Sequence, residues 1–122
     1  MAEKRTILVA DDDPDAVETL SLLLSRLGHR VFSTTRAGDV LSLATLHRPQ
    51  LILLDISMPD LDGWQLARSL RGELGYERVR IIAVSGRVDS EDYRRSRESG
   101  FDAHVPKPVD LALVQSMLEQ VQ

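Results

Sequence analysis

The 122-residue chain contains no cysteine, which excludes a disulfide framework, a thiolate metal site and a cysteine nucleophile. No apolar run approaches the roughly 20 residues that a membrane-spanning helix needs, and no hydrophobic signal segment precedes the first predicted strand. We therefore expect no membrane partner and a cytoplasmic location. The net charge of −4 argues against non-specific nucleic-acid binding as the main task. The hydrophobic content of 43% predicts one soluble globular domain over residues 1–122.

The chain alternates regularly between strand-like and helix-like segments. Short apolar or β-branched runs predict five strands, at Thr6–Ala10, Val31–Thr34, Leu51–Asp55, Val79–Val84 and Ala103–Val105. Helical spacing and capping residues predict five helices. The first begins after Asp13 and ends at Gly28, and the third runs from Gly63 or Trp64 to about Arg71. The others span Ala37–Leu46, Asp89–Ser99 and Asp110–Val121. This alternation predicts an α/β fold, a doubly wound (βα)5 sandwich with a parallel sheet and helices on both faces.

Chemically active side chains stand where the predicted strands end. Asp11 and Asp12 follow the first strand, Asp55 ends the most hydrophobic strand, and Lys107 stands between prolines after the last. Ser85 ends the fourth strand. Because the carboxyl ends of parallel strands meet at one edge of a sheet, these groups are expected to form one pocket.

A pocket of carboxylates is expected to bind a divalent cation. Like charges about 4 Å apart repel by roughly 4 kcal/mol at an effective dielectric constant of about 20, and a cation relieves this repulsion. Oxygen ligands alone suit Mg²⁺ or Mn²⁺. A carboxylate beside such an ion is able to attack phosphorus and form an aspartyl phosphate. A single strand-terminal Asp is more often a helix cap, which is the role predicted for Asp13; the coincidence of several strand ends favours a site.

The chain resembles the receiver domains of bacterial two-component response regulators, which have a flavodoxin-like, CheY-like fold. The matching motifs occur in family order and with family spacing: ILVADDD at 7–13, LLDISMPDLDG at 53–63, AVSG at 83–86 and PKP at 106–108. The local sequences at 100–104 and 107–110 also resemble those of receivers attached to hybrid histidine kinases. The chain would then be a stand-alone receiver or part of a longer protein.

The resemblance implies a role for each matching residue. Asp55 is expected to be the phosphoacceptor, with Mg²⁺ (or Mn²⁺) held directly by Asp12 and Asp55, through water by Asp11, and by the backbone carbonyl of Ser57. Ser85 is expected to be the hydroxyl switch residue and Lys107 the lysine that contacts the phosphoryl group. The family usually has a cis peptide before the second proline, here Lys107–Pro108. The expected partners are a histidine kinase or histidine phosphotransfer domain and an unknown downstream protein.

Two further positions follow from the same resemblance. His104 lies at the family's aromatic switch position, where tyrosine or phenylalanine is commoner, and we hypothesise that it makes switching pH-sensitive. The alternative is a partly exposed strand histidine. Arg87, like Ser57, flanks the site at a position that influences how fast the phosphoryl group is lost. It either obstructs the attacking water or pairs with Asp60.

The predicted helix Asp89–Ser99 contains only one large apolar side chain, Tyr93. A helix with so little to bury gains little from packing, so we expect it to be the least protected helix and to shift on phosphorylation. Its arginines, Arg94, Arg95 and Arg97, either touch an acidic partner or form a solvated face.

The family implies a self-phosphorylating switch rather than an enzyme in the usual sense, and three alternatives remain beside it. A haloacid dehalogenase-type phosphatase needs a second acid two residues after the nucleophile, where this chain has Ser57. A flavodoxin-type flavin-binding module needs a phosphate loop after the first strand, where the Asp triplet would repel a phosphate. The third alternative is a receiver-like interaction module that works without phosphorylation.

Overall fold

The computed structural model describes residues 4–59, 62–75, 77–86, 94–95 and 98–120. Five parallel strands form one sheet in the order β2-β1-β3-β4-β5, namely β1 Thr6–Ala10, β2 Arg30–Thr34, β3 Leu51–Asp55, β4 Arg80–Ser85 and β5 Ala103–Pro106. The connecting helices are α1 Pro14–Arg26, α2 Val40–His47, α3 Gly63–Leu74 and a C-terminal helix, Leu111–Glu119. The predicted doubly wound parallel architecture is confirmed. In the part of the chain described here, no helix is long and apolar enough to cross a membrane.

The sheet is covered on both faces because its strand residues alternate between two apolar clusters. One cluster packs Leu8, Ile52, Leu54, Ile81 and Ala83 against α2 and α3. The other packs Ile7, Val9, Leu53, Ile82 and Val84 against α1 and the C-terminal helix. Strands buried on both faces read as continuous apolar runs, which is why β3, with five buried residues, was the clearest strand in the sequence.

Helix boundaries follow local capping chemistry. Asp13 caps α1, its carboxylate accepting the Asp15 backbone N–H at 3.0 Å, as predicted. Gly28 follows the helix with φ +98°, a conformation that glycine adopts without a Cβ penalty. Asp62 caps α3 by accepting the backbone N–H groups of Trp64 and Gln65.

Several predicted boundaries were wrong by a few residues. The predicted helix Ala37–Leu46 divides into a 3-10 turn at Ala37–Asp39 and the α-helix α2. Helix α3 continues past Arg71 to Leu74, because Gly75 is the first residue that leaves the helical conformation. The C-terminal helix is shorter than predicted, and Val121 lies outside the described residues. Leu27, in helical register with the buried face of α1, is 49% exposed.

The predicted helix Asp89–Ser99 lies mostly outside the described residues. Four of its positions are described and helical: Arg94, Arg95, Glu98 and Ser99. Arg94, Arg95 and Glu98 are exposed, whereas Ser99 is buried. Tyr93 and Arg97 lie outside the described part, as do Arg87 and Asp60, so the predictions about them are not addressed by the structure.

Candidate functional site

The carboxyl edge of the sheet brings three acids together, as their strand-terminal positions predict. One carboxylate oxygen from each of Asp11, Asp12 and Asp55 lies within 4.8 Å of the other two. Asp55 is only 1% exposed, whereas Asp12 faces solvent. Parallel pairing of β1 with β3 aligns Ala10 with Leu54, so the residues that follow them emerge side by side. All three donors are carboxylate oxygens, which fits Mg²⁺ or Mn²⁺.

Among the described residues, Lys107 forms ion pairs with the acids of this site. Its Nζ donates to Asp55 Oδ2 at 2.9 Å and lies 3.2 Å from Asp11 Oδ2. The lysine reaches the acids because it directly follows β5, where its backbone N–H donates to the Ser85 carbonyl at 2.9 Å. The Lys107–Pro108 peptide is cis, as the resemblance implies. Two carboxylates therefore share one ammonium.

The two oxygens of Asp55 have different partners. Oδ1 accepts the Ser57 backbone N–H at 2.9 Å and the Ser57 hydroxyl at 2.6 Å, whereas Oδ2 accepts the Lys107 ammonium at 2.9 Å. A 2.6 Å O–H···O⁻ distance is typical of a charge-assisted hydrogen bond. The sequence predicted a metal-binding role for the Ser57 carbonyl, and it missed this contact of the hydroxyl with Asp55.

Burial and hydrogen bonding together lower the pKa of Asp55 and raise the pKa of Asp11. Burial pushes the pKa of Asp55 up, but hydrogen bonds from the Ser57 hydroxyl and Lys107 outweigh it and hold this pKa below its ordinary value. Burial raises the pKa of Asp11 above its ordinary value, despite the hydrogen bonds from the Asp13 backbone and Lys107. Burial pushes the pKa of Lys107 down, but its hydrogen bonds to Asp55 and Asp11 outweigh burial and hold this pKa above its ordinary value.

Two of the remaining predicted residues, Ser85 and His104, lie on the strands β4 and β5. Ser85 is buried at the end of β4, one residue beyond Val84, the partner of Asp55 in the sheet. His104 is 8% exposed on β5 beside Ala83, so the interpretation as a partly exposed strand histidine was wrong. Arg87 lies outside the described residues.

One buried charged group was not anticipated. The side chain of Arg71 on α3 is 3% exposed and forms an ion pair with Asp102, directly before β5. Nothing in the sequence distinguishes Arg71 from an ordinary solvated helix arginine except its spacing of four from the buried Ala67.

Comparison with known proteins agrees with this geometry. The family described as the response regulator receiver domain matches residues 7–119. Protein PilH of Pseudomonas aeruginosa is 32% identical over 104 residues, which cover 85% of this chain and 86% of PilH. The transcriptional regulatory protein AfsQ1 of Streptomyces coelicolor is 36% identical over 95% of this chain, which spans only half of AfsQ1.

Solved structures give the same result for the fold. The receiver domain (CheY-like) of Methanospirillum hungatei superposes with a TM-score of 0.86 at 26% identity, covering 97% of this chain and 96% of that one. The chemotaxis protein CheY4 of Vibrio cholerae has a TM-score of 0.87 at 20% identity, covering 98% and 100%. The family match spans all five strands and the site residues from Asp11 to Lys107, and the chain belongs to the response regulator receiver domain family.

Proposed function

We propose that this domain is a phosphoacceptor switch in which Asp55 receives a phosphoryl group, with Mg²⁺, from a phosphohistidine of a histidine kinase or phosphotransfer domain. The observation that carries the proposal is the arrangement around one buried carboxylate. Asp55 stands between a cluster of acids on one side and the Lys107 ammonium on the other. A carboxylate that needs only a structural partner does not need two further acids beside it.

The different hydrogen bonds of the two Asp55 oxygens support different roles for them in the proposed reaction. Ser57 holds Oδ1 with two donors, which leaves Oδ2, facing Lys107, to attack phosphorus. In this step the Oδ2–P bond forms and the P–N bond of the phosphohistidine breaks. The imidazole nitrogen leaves with the electron pair. Lys107 then moves from Oδ2 to a phosphoryl oxygen, and Ser85 donates to another.

Asp11, Asp12, Asp55 and the Ser57 carbonyl would hold the Mg²⁺ ion. Bound there, the ion would neutralise charge on the phosphoryl oxygens as they approach the acids. The fit rests on the donor chemistry, because three carboxylate oxygens within 4.8 Å form a hard, all-oxygen set. The domain supplies its own nucleophile, and the Asp55 carboxylate is modified in the reaction and restored when the phosphoryl group is lost. It is therefore a switch and not an enzyme in the usual sense.

A cavity of about 610 Å³ beside the acids provides room for the phosphate donor. Its walls come from α1 and the start of the C-terminal helix, and Asp11 and Lys107 stand in its lining. On α1, Leu22 is 50% exposed and Leu23 is 36% exposed. Leu23 lines this cavity, so a partner helix packed against it would lie beside the pocket that contains Asp11 and Lys107.

Phosphorylation would act on the partner or linked domain by biasing a two-state equilibrium. The residues that link the site to the surface are Ser85 and His104, on adjacent strands at one end of the sheet. The face expected to change is formed by residues 89–99, β5 and the C-terminal helix. Because His104 is buried, a charge on its ring would be costly, which supports the hypothesis of pH-sensitive switching. An unchanged pH dependence of activation in His104→Phe would refute it.

Intact-protein mass spectrometry tests the proposal directly. The protein is incubated with acetyl phosphate and Mg²⁺, and one added phosphoryl group is expected that disappears in Asp55→Asn and with EDTA. A beryllofluoride titration is run in parallel, because some receivers react slowly with small donors. Absence of any response to both reagents would contradict the proposal and favour an interaction module that works without phosphorylation.

A further inference from the structure

The guanidinium of Arg71 is buried near the amino end of β4 and joins three segments of the chain. Nε donates to the Gly100 carbonyl at 2.7 Å, and Nη1 donates to the carbonyls of Gly75 and Val79, both at 3.0 Å. Nη2 donates to Asp102 Oδ2. A buried cation is tolerated only when it is fully hydrogen-bonded, so these acceptors fix the guanidinium in one position.

Asp102 connects the guanidinium of Arg71 to strand β4. Its backbone N–H donates to the Ile81 carbonyl at 2.8 Å, and its Oδ2 accepts the Ile81 N–H at 2.8 Å. The same carboxylate oxygen accepts from Arg71. Asp102 therefore forms two hydrogen bonds with Ile81 of β4 immediately before β5 begins, and Arg71 orients its carboxylate.

Besides its pairing with β4 and the burial of His104 and Val105, strand β5 depends for its register on the hydrogen bonds at its two ends. It is four residues long and lies at the edge of the sheet formed by the described strands, where it pairs with β4. A slip of one residue along β4 would move the chain by about 3.3 Å and turn each side chain to the opposite face. The 2.9 Å contact of Lys107 with Asp55 would not survive it.

We propose that Arg71 and Asp102 are positioning residues for the phosphoacceptor site, which set the register of β5 and thereby place Lys107 against Asp55. Before β5, Asp102 is hydrogen-bonded to Ile81 of β4; after β5, the Lys107 backbone N–H donates to the Ser85 carbonyl at 2.9 Å. Lys107 lies five residues beyond Asp102, or roughly 16 Å along an extended strand. This inference rests on the proposed function, since it assigns a cause to the placement of Lys107 in that site.

The test is a double-mutant cycle on the phosphorylation rate with acetyl phosphate at saturating Mg²⁺. Asp102→Ala removes the side-chain hydrogen bonds of a residue whose side chain is 29% exposed, so it leaves no large cavity. We expect it to slow phosphorylation about five-fold in the parent and to have no effect in the Lys107→Ala background, because two residues that act through one contact are not additive. Asp102→Asn keeps an oxygen acceptor for Ile81 and Arg71 and should restore most of the rate.

Amide hydrogen exchange gives an independent measure of register. The Lys107 N–H, which donates to Ser85, should exchange faster in Asp102→Ala than in the parent, while the amides of β1 and β3 remain unchanged. If Asp102→Ala does not fold, Asp102→Glu takes its place, since it keeps the charge but moves the carboxylate by one methylene group.

The outcomes separate this inference from the proposed function. Equal slowing by Asp102→Ala in the parent and in the Lys107→Ala background would show that Asp102 only stabilises the fold. An unchanged phosphorylation rate in Asp102→Ala would show that Asp102 does not position the site. Either result would overturn this inference, whereas phosphorylation of the parent would still support the proposed function. A folded parent that accepts no phosphoryl group and no beryllofluoride would overturn both.

Discussion

Helix α3 begins at Gly63, and the space where a side chain would stand there is filled by Ile56, the residue after Asp55. A Cβ on Gly63 would lie 2.8 Å from Ile56 Cγ2 and 3.0 Å from Ile56 Cβ. Isoleucine is branched at Cβ and has little rotamer freedom, so the contact is relieved only by moving the backbone. We expect Gly63→Ala to lower the free energy of unfolding by about 1–3 kcal/mol, the usual cost of overpacking.

The same helix offers a matched control. A Cβ on Gly72 meets nothing within 4 Å, and the residue is exposed in the interior of α3. Gly72→Ala should therefore stabilise the protein by about 0.5–1 kcal/mol, because alanine loses less backbone entropy than glycine in a helix. The two substitutions are chemically identical and should shift the free energy of unfolding in opposite directions.

Urea denaturation followed by far-ultraviolet circular dichroism measures both effects, with equal slopes required for the comparison. Ile56→Ala removes Cγ2, so Gly63→Ala should cost at least 0.5 kcal/mol less in that background than in the parent. Additive effects of the two substitutions, or a Gly63→Ala variant as stable as Gly72→Ala, would refute the steric reasoning.

Three further predictions concern charge. Lys107→Met should lower stability most at neutral pH and progressively less below about pH 4, where Asp55, with its lowered pKa, becomes protonated; urea denaturation at pH 7 and below pH 4 measures this, and an equal deficit at both would contradict it. Mg²⁺ at 100 times its dissociation constant should add about 2.7 kcal/mol at neutral pH, where the raised pKa of Asp11 makes its ionised form costly, and EDTA should reverse the gain. Arg95→Gln should red-shift the emission of Trp64, because the guanidinium covers that ring at 4.9 Å; an unchanged spectrum would exclude the contact in solution.

The strands and the acid cluster could be predicted from the sequence because each rests on a local signal. An apolar run predicts a buried strand, and a polar residue that ends it must emerge at the sheet edge. Thr6–Ala10 and Leu51–Asp55 were predicted to the residue for this reason. The contact of Lys107 with Asp55 follows from the same rule, given a parallel sheet.

The features that the sequence did not reveal depend on distant contacts. Arg71 has an ordinary helix-surface identity, and only the approach of residues 100–102 turns it into a buried ion pair. The 3-10 turn at Ala37–Asp39 has no periodicity of its own and reads as the first turn of α2. The Ser57 hydroxyl bond to Asp55 is set by the turn after β3, and residue type alone does not reveal it.

The charge of the site explains why one lysine stands among three acids. Among the described residues, three ionised carboxylates and one ammonium carry a net charge of −2, which is equal in magnitude and opposite in sign to the charge of one Mg²⁺ ion. A second lysine would reduce the need for the ion, and no lysine would leave Asp55 buried without a partner. Phosphorylation of Asp55, as proposed, would replace one negative charge by nearly two on the phosphoryl group, which reaches farther from β3. In the proposed switch the added charge would attract Lys107 and Ser85 toward the new group, so Lys107, which balances the resting site, would also respond to its modification.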